Sequence, residues 1–178
     1  MSLPSGSHCV RLCSKSTLGD DDEVTVACFQ SHPGTDHRPA DNYLSVHWLE
    51  YLGLGTIPNC LASLRAFLLA STIPGERRPT SQGKLAVINC EQATGAALAE
   101  IQLVIDFKHE PRLQPAARGY EVLADGAIQM GLAPVQAVTH GIAIDPHCGM
   151  YTLPEAEAHR LAVQQYFVSQ VIHIEPGK

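Results

Sequence analysis

Positive charge is scarce in this chain. Twelve Lys and Arg stand against eighteen Asp and Glu, for a net charge of −6 with histidines neutral. Only Arg77-Arg78 forms a basic pair. Binding to nucleic acid draws on clustered cations that neutralise phosphates, so no nucleic-acid partner is expected. No run of about 18 apolar residues occurs, so no membrane-spanning helix is expected. The stretch MSLPSGSHCVRLC lacks a charged segment followed by an apolar one. A secretory signal is therefore not expected, and the cytoplasm is the expected location.

Several reaction motifs are missing as well. Gly53-Leu54-Gly55 has no third glycine and makes no dinucleotide loop. His109-Glu110 is cut off by Pro111 before it becomes H-E-x-x-H, and no G-x-S-x-G elbow occurs. The acidic run Asp20-Asp21-Asp22-Glu23 lacks the alternation and glycine of a calcium loop and reads as a solvated turn. Paired cysteine spacing is missing too. The cysteines fall at 9, 13, 28, 60, 90 and 148, with Cys9 and Cys13 as the one close pair. A structural zinc site usually has two such pairs, so reduced thiols are expected.

What remains is an ordinary globular composition, 45% hydrophobic and 17% charged, over 178 residues. That length suits one domain, 1–178, burying about 70% of the surface its unfolded chain exposes. Residues 1–7 are expected to be frayed or of artificial origin. No repeat, low-complexity tract or linker divides the chain.

The hydrophobic pattern gives the elements. HCVRLC, residues 8–13, reads as a short strand. Residues 23–29 alternate Val24, Val26 and Cys28 with Thr25 and Ala27, a strand pattern. Residues 31–42 read as a loop. For residues 46–52 a short helix is preferred, with Ser45 as N-cap, Leu44 and Leu49 as staple and Gly53 as C-terminal cap. The alternative is a strand with Tyr43, Ser45 and His47 on one face. Residues 59–71 form the clearest helical stripe, with Cys60, Leu61, Leu64, Phe67 and Leu68 inward and Pro58 near its start. Residues 72–83 read as a loop, 84–90 as a strand and 91–99 as a short helix or turn.

Residues 100–108 read as a strand, with Ile101, Leu103, Ile105 and Phe107 on one face and Val104 the exception. Residues 112–117 read as a loop, 119–130 as a helix weakened by Gly126, and 135–144 as a strand. Residues 145–151 read as a turn. Thr152 and Glu155 suggest a capping box opening a helix over 154–170, with Ala158, Leu161, Ala162 and Val168 inward. Residues 171–174 read as a last strand or docked tail. Together these predict an α+β domain with a largely antiparallel sheet of about five or six strands and three or four helices.

Nine histidines are about twice the usual share for this length. Those near loops and strand ends carry the candidate chemistry. Residues 32–53 hold His37, Arg38, Asp41, His47, Trp48 and Glu50; Trp48 reads as core. His109 ends one predicted strand, and His140 lies in another. His147-Cys148 follows Asp145-Pro146. Histidine beside carboxylate is what an acid/base pair or a divalent-metal site needs. The candidate catalytic residues are therefore His47, His109, His147, Asp41, Glu50 and Cys148, with Arg38 and His37 as substrate contacts. Cys148 enters as a nucleophile whose base is a histidine other than its neighbour. Ser45 reads as a cap.

Two functions fit these observations. One is a small hydrolase-like enzyme with a histidine/carboxylate site, with or without a divalent metal. The other is a non-enzymatic binding or accessory protein. It would be a homodimer through the final helix, whose Tyr166-Phe167 face lies opposite Leu161.

Overall fold

The computed structural model describes residues 1–30, 43–51, 55–71, 83–110, 119–122, 128–132, 146–153 and 161–177. Eight strands are present among them: β1 (His8–Cys13), β2 (Leu44–Trp48), β3 (Lys84–Asn89), β4 (Val104–His109), β5 (Gly119–Val122), β6 (Ile128–Leu132), β7 (His147–Leu153) and β8 (Val171–Pro176). Three α-helices accompany them: α1 (Ile57–Ser71), α2 (Cys90–Ile101) and α3 (Leu161–Ser169). Six strands form one sheet in the order β4-β7-β2-β1-β3-β8, and β5-β6 form a separate hairpin. Every pairing is antiparallel. The chain is therefore α+β, as its pattern predicts.

Two apolar clusters lie on the two faces of the six-stranded sheet. Cys9, Cys13, Leu44, Val46, Ala86, Ile88, Ile105, Phe107, Cys148 and Met150 face α2 and α3, joined by Phe29, Ala93, Val163 and Phe167. Phe29 and Phe167 stack with ring centroids 5.9 Å apart. Val10, Leu85 and Val87 point the other way, onto Cys60, Leu61, Leu64, Phe67 and Leu68 of α1, as the helical stripe requires. That second face is apolar only along β1 and β3. Along β2, β7 and β4 it carries Ser45, His47, His147, Tyr151, Lys108 and Asp106, as alternation and register dictate.

The structure corrects five elements. Residues 46–51 of the predicted helix 46–52 are not α-helical: β2 is followed by a 3-10 turn, Leu49–Tyr51. Pairing with β1 on one side and β7 on the other outweighs a local capping signal. Residues 23–29 form only a bridge between Leu18 and Val24, then a 3-10 helix, Val26–Phe29. Thr25 Oγ1 caps that helix by accepting the Ala27 N–H at 3.2 Å. The turn lets neighbours Cys28 and Phe29 both enter the core, which a strand forbids.

Residues 119–122 and 128–132 are a hairpin rather than a helix, in keeping with their Tyr, Val and Ile content. Residues 147–153 are a strand and not a turn. Gly149 stands in it because a Cβ there would come within 2.7 Å of the Tyr151 ring. Residues 100–102 belong to α2 and its left-handed cap at Gln102, so the predicted strand starts at Val104.

Of the residues predicted to face inward from the final helix, Val168 packs against the core, but the main buried face is a different one. Val163, Gln164, Tyr166 and Phe167 are buried, whereas Leu161 and Ala162 are exposed. Thr152 lies buried within β7, and Pro154 and Glu155 of the predicted capping box lie outside the described residues. Residues 1–7 are held in place. Leu3 N–H donates to Phe107 O at 3.3 Å, His109 N–H to Met1 O at 2.9 Å, and Cys90 N–H to Ser7 O at 3.0 Å. The loops predicted at 31–42, 72–82 and 112–117, the strand predicted at 135–144, and Gly53 and Ala158 lie outside the described residues.

Candidate active site

The polar half of the second sheet face holds the candidate site. Ser45 of β2 lies directly across from Gly149 of β7, and His47 across from His147. Right-handed twist and the diagonal reach of side chains bring Ser45 to His147. Ser45 Oγ is 2.9 Å from His147 Nε2, and His147 Nδ1 is 2.7 Å from the main-chain oxygen of Glu110. A carbonyl oxygen only accepts, so Nδ1 carries a proton. In the neutral ring Nε2 then holds the lone pair and accepts from the Ser45 hydroxyl.

Glu110 fixes this geometry three ways. Its N–H donates to His147 O at 3.0 Å, its O accepts from Nδ1, and its carboxylate accepts from the Tyr151 hydroxyl at 2.5 Å. Tyr43 lies beside both partners, 5.9 Å from the His147 ring and 5.2 Å from the Tyr151 ring. Lys108 Nζ sits 4.7 Å from the Tyr151 ring centre and 3.4 Å from Asp106 Oδ2.

Ser45 is also held from behind. The β1-β2 ladder ends at Val10 and His47. Beyond it Arg11 fills the gap, donating to Ser45 O at 2.6 Å, Cys28 O at 2.7 Å and Gln30 O at 3.2 Å. One guanidinium thus supplies three carbonyls where strand pairing stops. Burial pulls the Arg11 pKa down, while Cys13 and Cys28 push it back up.

The other candidates go to different places. The His47 ring stands edge-on to His147 with centroids 6.3 Å apart. His109 packs against Tyr51 at 4.6 Å and Trp48 at 5.6 Å. Glu50 accepts from the His8 N–H at 3.0 and 3.2 Å and pairs with His8 Nδ1 at 2.6 Å. Cys148 points into the opposite face of the sheet, fully buried. There it touches Cys9, whose thiol is pushed up by burial and by its contacts with Cys148 and Cys90. All six cysteines are buried free thiols.

His37, Arg38, Asp41 and His140 lie outside the described residues. Among the described residues no group of three or more His, Cys, Asp or Glu side chains is placed to hold a metal ion. No helix there is long and apolar enough to cross a membrane.

Sequence reasoning named His147 as a candidate but passed over Ser45, Glu110 and Tyr151, which the structure groups with it. A signal for Ser45 existed in the alternation Tyr43, Ser45, His47 against Leu44, Val46, Trp48, which places the serine on a strand beside histidine. No protein family, functionally characterised protein or solved structure matches this chain.

Proposed function

We propose that this chain is a small hydrolase with Ser45 as nucleophile and His147 as general base. The observation that carries the reading is the chain of contacts Ser45 Oγ to His147 Nε2 to Glu110 O, at 2.9 and 2.7 Å. A serine hydroxyl is a weak nucleophile until a positioned base takes its proton. Here a main-chain carbonyl sets the tautomer, the part a carboxylate plays in a Ser-His-Asp triad.

In this scheme Ser45 Oγ attacks an acyl carbon and passes its proton to His147 Nε2. The imidazolium returns that proton to the leaving group as the acyl bond breaks. Water then attacks the acyl-serine with His147 again as base, releasing the acid and restoring the hydroxyl. The polar half of the sheet face is the setting, with Tyr43, Tyr151 and His47 around it. Six free thiols support a reducing compartment, hence the cytoplasm.

The test is hydrolysis of p-nitrophenyl acetate and butyrate by the purified protein and by Ser45→Ala and His147→Gln. Each substitution is expected to lower kcat/KM by about a thousandfold or more. Full activity in a folded Ser45→Ala protein overturns the reading.

A further inference from the structure

Ser45, Gly149 and Lys108 occupy one row across three adjacent strands. Gly149 is the register partner of Ser45 on one side and of Lys108 on the other. Two interstrand steps put the nucleophile and the lysine backbone about 10 Å apart. The middle position has no side chain, and the Tyr151 ring lies over it. Lys108 Nζ lies over that same ring. The row therefore runs from nucleophile to aromatic plate to cation along one face of the sheet.

From this, and resting on the Ser45 reading above, we propose that the substrate is an acyl compound whose acyl chain ends in a carboxylate. Its carbonyl sits at Ser45, its methylenes lie along Tyr151, and its carboxylate meets Lys108. A single ammonium suits a monoanion. A phosphate dianion would call for more than one cation, and Asp106 beside Lys108 lowers the local positive charge further. The Lys108–Asp106 contact at 3.4 Å joins two partly exposed side chains and is weak enough for a substrate anion to replace.

The experiment compares p-nitrophenyl hemiglutarate with p-nitrophenyl butyrate and with a phosphonate-bearing analogue of the hemiglutarate. The hemiglutarate is expected to have the highest kcat/KM, about tenfold above the butyrate. Lys108→Met is expected to bring that ratio near one, and Lys108→Arg to keep most of it. Equal turnover of the two carboxylic esters by the unmodified protein overturns this inference alone. So does a preference that survives Lys108→Met, or a stronger preference for the phosphonate. Turnover of none of the three overturns the Ser45 reading, and this inference with it.

Discussion

Ser45 and His147 stand on neighbouring antiparallel strands, two positions apart in register, and their side chains meet at 2.9 Å. Neither lies on a long loop. A site built on paired strands is held more rigidly than one on a loop. The ladder sets its spacing, and Glu110, the residue just beyond β4, sets its tautomer.

In the proposed mechanism Tyr151 acts as a positioning residue through Glu110. Tyr151→Phe removes the hydroxyl that holds the Glu110 carboxylate. The expected outcome is a three- to tenfold fall in kcat, on the order of 1 kcal/mol, with KM little changed. Nitrogen-15 NMR of the imidazole is the decisive readout. In the unmodified protein it is expected to place the His147 proton on Nδ1, and in Tyr151→Phe to keep it there with a shifted Nδ1 resonance, as the hydrogen bond to the Glu110 carbonyl loosens.

Arg11→Met tests the support behind Ser45. The methionine keeps apolar volume but leaves three main-chain carbonyls without the guanidinium. Loss of a half-buried, charge-assisted network of this kind destabilises by about 1–3 kcal/mol. Urea unfolding is expected to show that loss, and ester hydrolysis by the folded fraction should fall with it.

Glu50 is assigned a part in the fold by its contacts with His8. It receives the His8 main-chain N–H and pairs with the His8 ring, tying the 3-10 turn after β2 to the start of β1. Glu50→Gln is expected to lower stability by about 1–2 kcal/mol. Per folded molecule, kcat should stay within about twofold. A loss of kcat as deep as that of Ser45→Ala would return Glu50 to the chemistry.

Acid sensitivity has a visible source in β8. Burial pushes the Glu175 carboxyl up, but hydrogen bonds from His173 and Arg65 and the charge of Arg65 outweigh it, so its pKa is lowered. A carboxyl depressed in the folded state adds stability above its unfolded pKa. That stability is lost as pH falls through the folded value. Thermal unfolding is expected to show stability declining from about pH 5 downward. Glu175→Gln should flatten part of that decline and be less stable at neutral pH, where its tie to Arg65 of α1 is weakened.

The apolar stripe of α1 and the alternation of Ile105 and Phe107 were legible in the sequence because each belongs to one element with one buried face. Ser45 was not. Its role depends on β7, a hundred residues later, and its local context mimics a helix cap. Gly149 and Pro146 disguised β7 as a turn, because the ring that fills the place of a glycine side chain belongs to Tyr151 and is invisible to pattern. Tyr166 and Phe167, adjacent in sequence, looked like a face for a partner. In the fold they pack on Ala93 and Phe29, so a surface proposed for dimerisation is core.

The most direct test is covalent labelling of the intact protein with a fluorophosphonate, followed by peptide mapping. One phosphonyl group per chain on Ser45, absent in Ser45→Ala and strongly slowed in His147→Gln, is the predicted result. An unlabelled protein, or a label on another residue with Ser45 untouched, would contradict the assignment of Ser45 as nucleophile.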